Sequence, residues 1–474
     1  MADRRLAARM QLVEIEDAST TTPRSRHPDD EPPPEVPVGH HPLLRWWPLA
    51  VVVVLAVVAA TMLVSARDRA FVARIEAVPG LVRPLDTAPA PLWDVRGRTA
   101  NGAVLAADGA LVVLAEGDDE WTVTAHDPAS GDVRWAVPVA PASRSGFETS
   151  GVTCPAQDSS VGSLVLCLVP QPRVLYSDEA SIQEQPRLTV LPLAAADGTR
   201  TGGWEIRGDV VGVERVDDDL VIGRLDPEGR LQVQRRSGRS GAVVWSSTTP
   251  HAMAQLLTAS MRVLPPVVVL DGESTIVLDA DDGTTLVAGA RFTGIEVAAL
   301  ADRFATWAPV GGGHMHDVDG TELYGLAGLP AQLSADDGSE PALVVVDEGS
   351  QLVGLDLATG TERWRTVTML DPRALVGHRL VVSGAGTSGV LDARNGRALW
   401  SVDSGDALGW EPVSDGTLVL GPGISPDGRP ELWGRALADG VRYWTVPLPE
   451  HVRHVDAVGG HLVVRTANDL IVYG

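Results

Sequence analysis

One short phrase constrains this chain more than anything else in it: an Asp, a Gly four residues on, and a Trp four residues after that. It stands complete as Asp127-Gly131-Trp135, Asp356-Gly360-Trp364 and Asp392-Gly396-Trp400. Degenerate copies are Gly241-Trp245, Asp279-Gly283-Val287, Gly320-Tyr324, Gly440-Trp444 and, with a longer turn, Asp197-Gly198-Trp204. Such repetition marks a unit that buries its apolar faces only by stacking on its neighbours. Asp accepts local backbone N–H bonds and Gly takes positive φ, so the pair reads as the turn between the third and fourth strands of a small sheet. The Trp, set a fixed distance into the fourth strand, is placed to lay its ring across the next sheet.

Between the copies the chain shows short apolar runs bounded by Gly and Asp, among them Ala110 to Ala115, Trp121 to Ala125, Leu343 to Asp347 and Arg379 to Ser383. Nothing after residue 75 sustains a helical period, so the class is all-β. The fourth-strand positions fall at 135, 204, 245, 287, 324, 364, 400 and 444, and most intervals lie near 40 residues. That is enough chain for one four-stranded propeller blade. The long interval from 135 to 204 reads as one blade with a polar excursion, Tyr176 to Pro186. At the ends, Pro91-Leu92-Trp93 is a Trp strand without predecessors, while His461 to Arg465 and Leu470 to Tyr473 are strands without a Trp strand. Pairing them closes the ring and removes its open edges. Direct counting gives nine blades, above the usual range of about four to eight. The interval from 245 to 324 is therefore read as misdivided, and the expected fold is a propeller of eight four-stranded blades over 90–474, with seven or nine as alternatives. The anchors of its blades are Trp93, Trp135, Trp204, Trp245, Tyr324, Trp364, Trp400 and Trp444.

These Asp-x-x-x-Gly-x-x-x-Trp copies resemble the repeat of the pyrroloquinoline-quinone-type β-propellers. That superfamily includes the quinoprotein alcohol dehydrogenases and the non-catalytic propeller of the outer-membrane assembly machinery. The resemblance covers roughly residues 90 to 474 and speaks to fold rather than activity. The dehydrogenases resemble one another in a pair of adjacent cysteines over the quinone and often a Cys-x-x-Cys-His haem site, and this chain has neither. No cofactor is expected.

The N-terminal portion differs in kind. Residues 1–44 hold Pro32-Pro33-Pro34 and mixed charge, and read as a disordered cytoplasmic tail. Trp46 to Ala66 carries no charge over 21 residues, which is the length of a membrane-crossing helix. The expectation is a single-pass anchor over 45–66, a linker over 67–89 and an extracytoplasmic propeller. The only cysteines, Cys154 and Cys167, lie 13 apart and are expected to form a disulfide in an oxidising space. All 38 basic residues are Arg, which excludes lysine chemistry, and the net charge of −24 repels phosphate backbones. Nucleic acid is not an expected partner.

Remaining candidates are weak. Gly384-Ala385-Gly386-Thr387-Ser388-Gly389 has the dinucleotide-loop spelling, but it leads into a strand rather than a helix N-terminus. His314 and His316 share a strand face, a spacing that suits a metal, yet no third ligand is near in sequence. His451, His454 and His461 read as solvated loop, with a pH-sensitive patch as the alternative. Asp279-Ala280-Asp281-Asp282-Gly283 reads as an acidic turn rather than a calcium loop. No catalytic, cofactor or metal residue is assigned. The expected function is a non-catalytic binding or assembly scaffold in the bacterial cell envelope, with an envelope protein or glycan as partner; the alternatives are a diverged quinoprotein oxidoreductase and a ligand-sensing propeller.

Overall fold

The computed structural model describes residues 47–142, 151–156, 160–171, 174–176, 181–183, 187–254, 258–300, 302–384, 386–403 and 411–474. The tail expected over 1–44 lies outside them. By internal contacts the chain divides into residues 1–64 and residues 65–474.

The larger unit is a β-propeller of nine blades, not eight. Seven sheets have four strands, one has three and one has five, and a separate two-stranded hairpin accompanies them. In blades 1 to 8 the strands run in chain order from the central channel outward, and in blade 9 a strand from the start of the chain takes the outermost place. The interval from 245 to 324 holds two complete blades. Blade 4 runs from Ser260–Leu264 to Thr285–Ala288, and blade 5 from Glu296–Leu300 to Glu322–Leu326. Blade 4 carries Val287 where its neighbours carry the aromatic rings of Trp245 and Tyr324, so it lost the sequence signal without losing the sheet.

Every blade is flanked on both faces, so its second strand is buried on both sides and reads as a continuous apolar run rather than an alternation. Ala110–Glu116, Leu164–Pro170, Val267–Asp271 and His461–Arg465 all follow that pattern. Outermost strands alternate instead: Glu362–Val367 turns only Trp364 fully inward. Closure is made by Pro91–Arg96, which pairs antiparallel with Asp469–Tyr473 as the outermost strand of blade 9, placing Trp93 opposite Val472.

Blade 2 departs from the pattern. Its sheet is Leu164–Pro170, Arg187–Ala194 and Trp204–Arg207, and the innermost position is reduced to a single antiparallel bridge between Thr153 and Leu168. Beside that bridge Cys154 and Cys167 are joined, with Cα atoms 4.1 Å apart. The excursion between its strands carries a hairpin of Val174–Tyr176 with Ser181–Gln183.

The membrane anchor is corrected. Among the described residues no helix is long and apolar enough to cross a membrane. The helix Trp47–Ala77 exposes the described apolar side chains between Val51 and Met62. It continues unbroken past the apolar run through Arg67, Asp68, Arg69, Arg74 and Glu76. Its last turns belong to the propeller core, where Ile75 is buried with Leu81, Ala335, Val419 and Trp433. The expected span over 45–66 is therefore not supported, and with it fall the single-pass topology, the membrane partner and the extracytoplasmic placement. Past the helix the chain pairs with the innermost strand of blade 8 and the first turn of blade 9: the N–H of Val82 donates to Ser414 O (2.9 Å) and that of Arg83 to Gly460 O (2.8 Å).

Candidate functional site at the channel mouth

The antiparallel order gives the propeller two distinct faces. The Asp-Gly turns, between third and fourth strands, share one face with the hairpins joining first and second strands. The opposite face gathers the loops that lead into each innermost strand and the turns between second and third strands. We call it the mouth.

On the Asp-Gly face the aromatic anchors do one repeated thing. The Nε1–H of Trp93, Trp135, Trp204, Trp245, Trp364 and Trp400 donates to the carbonyl of Pro128, Ala195, Gly238, Ala280, Ala393 and Leu437, respectively, and Tyr324 donates through its hydroxyl to Leu357 O. In each case the acceptor lies three residues before the turn Gly of the following blade, and the aromatic ring lies against that Gly. Gly396 shows why the residue must be Gly: its φ is +70°, and an added Cβ would stand 2.5 Å from both the Trp364 ring and Thr366 Oγ1. Trp444 is the exception, its buried Nε1 having no partner among the described residues. The next blade is the closing one, where the chain junction replaces the Asp-Gly turn and Gly474 O accepts from the N–H of Ala90.

The other sequence candidates also resolve into local structure. Asp279 Oδ1 accepts the N–H of Asp281 (2.6 Å) and Asp282 (3.2 Å), the geometry of a side-chain-capped turn. His314 is exposed and 3.6 Å from Glu322, whereas His316 is buried, stacked on Phe304 and bonded to Thr306 Oγ1 (2.9 Å). Burial holds the His316 pKa below the ordinary imidazole value. Gly384 and Thr387 face each other across a hairpin of blade 7. His451 and His454 are exposed while His461 is buried, so the three do not form one patch.

The mouth holds what the sequence did not single out. A cavity of about 640 Å³ opens there between blades 4 and 7. Its wall comes from the starts of innermost strands, with Arg262, Glu296, Pro330 and Arg373, from the Asp347 to Gly349 turn of blade 6, and from Trp307 at the end of a second strand. Pro330 stands on an innermost strand, whose free edge faces the channel, and Pro372 stands on Asp371–Val376 two residues before its pairing with Ala335–Asp336 begins. The innermost strand of blade 6 is only Leu329–Pro330; the chain then crosses to blade 7, where Ala335–Asp336 pairs in parallel with Asp371–Val376. The start of that crossing, Ala331 and Gln332, lines the cavity.

Charge in the wall is unbalanced. Arg262 is held by Asp271 (3.0 Å), and Arg373 bridges Asp371 (2.8 Å) and Glu411 (2.6 Å). Glu348 is held by Arg365 (2.6 Å), which also binds Glu362 (2.9 Å). Bonds to these two carboxylates raise the pKa of Arg365. Asp347 Oδ1 accepts the Gly349 N–H at 2.7 Å. Glu296 is exposed and has no ion pair or side-chain hydrogen bond among the described residues. Four carboxylates, Glu296, Asp347, Glu348 and Asp371, thus face two arginines in the wall. Trp307 adds an indole whose Nε1 is buried without a partner among the described residues.

No single residue of this wall stood out beforehand because it is assembled from four blades, with Arg262 and Arg373 at its sequence extremes. The available signals were the two prolines in strand positions and the short apolar run around Leu329, neither of which marks a cavity by itself.

Around the cavity the same face exposes large apolar side chains: Phe292 (59 %), Val310 (92 %), Val367 (84 %), Met369 (82 %) and Ile424 (46 %). They stand on four connections from blades 4 to 8, Val367 and Met369 sharing one.

A family model described as outer membrane protein assembly factor BamB matches residues 333–405 and 384–473. No curated protein matches the chain. Among solved structures, BamB from Moraxella catarrhalis is 14% identical and covers 81% of this chain and 99% of its own, with a TM-score of 0.43. A computationally designed protein, Ika8, is 15% identical over 75% of this chain and 98% of its own, at 0.38, and a eukaryotic initiation factor is 11% identical over 78% and 91%, at 0.45. At these scores the structural likenesses carry no argument about activity. The chain is a β-propeller distantly related to the BamB-type assembly propellers, and the family match rests on its last blades.

Proposed function

We propose that this propeller is a non-catalytic protein-binding scaffold that engages its partner through the mouth face over blades 4 to 8. The observation that carries the reading is the set of exposed apolar side chains around the cavity, with Val367 and Met369 more than four-fifths exposed on one connection. Scattered single apolar residues are ordinary on a surface, but several gathered on one face and rimmed by charge mark an interaction site. The distant relation to assembly propellers agrees with that use. The Asp-Gly face also exposes apolar side chains, among them Val318 (42 %), Val441 (55 %) and Tyr443 (69 %), but none as fully as Val310, Val367 and Met369 at the mouth.

The test places a photo-crosslinking amino acid at Met369, and separately at Val318 on the Asp-Gly face, in the cell of origin. A discrete cross-linked protein is expected from position 369 alone, and it is expected to vanish when Val367→Asp accompanies the probe. Equal cross-linking from both faces, or none from position 369, would count against the reading.

A further inference from the structure

We infer that the cavity at the mouth receives a basic side chain, Arg or Lys, presented by an extended segment of the partner protein with aliphatic residues on either side. The inference rests on the protein-binding reading of this face and adds the chemistry of what enters it.

Three features of the wall lead there. First, the arginines are already spoken for: Arg262 lies on Asp271, and Arg373 is fixed between Asp371 and Glu411, with Ser383 Oγ at 3.2 Å as a third partner. An incoming anion would meet guanidinium charge that those carboxylates already offset. Second, the acids are not all neutralised. Glu296 has no ion pair among the described residues, and Asp347 has only its own turn N–H. A guanidinium or ammonium entering the cavity meets these two carboxylates in a wall with a net excess of negative charge. Third, Trp307 lines the same cavity, and indole is the best aromatic neighbour for a cation.

Size and surroundings select a peptide over a free cation. The cavity, about 640 Å³, lies within the range of small-ligand sites and admits one long side chain with adjoining backbone. Val367 and Met369 stand exposed on the connection leading to Asp371, placed to cover aliphatic neighbours of the inserted residue, and the flexible Met accommodates varied shapes. A small polycation gains nothing from those two residues.

The experiment titrates the full chain with three capped tripeptides, Leu-Arg-Leu, Leu-citrulline-Leu and Leu-Glu-Leu, and with spermidine, following binding by calorimetry. The Arg peptide is expected to bind saturably and at least about fivefold more tightly than the citrulline and Glu peptides. That preference should disappear in Glu296→Gln, whose side chain is exposed and whose fold is not at risk, and it should weaken with added salt. Val318→Ser on the opposite face should leave it intact. Equal binding of the three peptides, no binding at all, or an unaltered preference in Glu296→Gln overturns the inference. So does spermidine binding as tightly as the Arg peptide, which would make the cavity a site for small cations. If cross-linking at Met369 persists while the Arg preference is absent, the binding face stands and only its basic-residue chemistry falls.

Discussion

At the scale of single residues, the staple between blades is a hydrogen bond as much as a ring contact. Trp364 donates to Ala393 O at 2.7 Å, whereas Trp444 buries the same group without an acceptor. The two positions therefore answer differently to loss of the indole N–H. Trp364→Phe should cost about 1–3 kcal/mol, because it leaves a buried carbonyl unpaired as well as removing a bond. Trp444→Phe should be close to neutral beyond its small change in packing. Chemical denaturation of both variants reads the contrast. The phrase made the Trp and Gly legible from the sequence, but not the acceptor. Pro128, Ala195, Gly238, Ala280, Leu357, Ala393 and Leu437 share no side-chain chemistry, because the accepting group is a backbone carbonyl. His461 gives a second residue-scale expectation. Burial, with Arg83 nearby, lowers its pKa from 6.5 to about 4, against an opposing pull from Asp127. Between those values the unfolded chain takes up a proton that the folded chain refuses, so the contribution of His461 to stability falls as pH drops from about 6.5 to about 4. His461→Gln should flatten that part of the Tm-against-pH curve relative to the wild type.

Whole elements were legible where burial is two-sided and obscure where a local irregularity replaces the repeat. Second strands announce themselves as apolar runs, because each blade is covered on both faces. Blade 4 hid because two departures coincide at one seam. Val287 replaces the indole, and the facing turn is shortened, the Gly320 N–H bonding back to Asp317 rather than to a residue four earlier. With no turn of ordinary length to lie on, an indole at 287 would have no platform, so the loss of the aromatic and the contraction of the turn belong together. Blade 2 is irregular in another way, its innermost strand reduced to the Thr153 to Leu168 bridge and the bond from Cys154 to Cys167. A cross-link across a 13-residue separation restricts the unfolded chain by about 3 kcal/mol in the loop-entropy account. Cys154→Ser with Cys167→Ser should lower stability by roughly that amount. It should also speed amide exchange over 151–156 more than in blade 7, which has a full innermost strand. Equal exchange in the two places would show that the bridge alone holds the segment.

For the molecule as a whole, the sequence disclosed ring closure but misjudged the ring's size and its approach. Closure was legible because a Trp strand without predecessors and strands without a Trp are complementary leftovers. The count of nine was also there to be read, and only the usual upper range of blade number argued against it. The helix was misread because an apolar run was treated as a complete element. The charged residues after Ala66 continue the same helix, and its end is built into the core through Ile75. The cavity escaped notice for a different reason: its wall exists only after four blades are brought side by side. One last expectation follows from closure. Among the described residues Pro91–Arg96 pairs with Asp469–Tyr473 alone, and its Trp93 reaches across to Pro128 of blade 1. Removing residues 469–474 would strip blade 9 of its third strand, free the edge of His461–Arg465 and leave Pro91–Arg96 without a partner. Unpaired edges template association between chains. The truncated protein should therefore form oligomers that grow with concentration in size-exclusion light scattering, while Trp93→Ala, which keeps the ladder and loses only the staple, should not. A truncated chain that stays monomeric and unfolds at the wild-type temperature would show that the eight remaining blades hold the ring without their clasp.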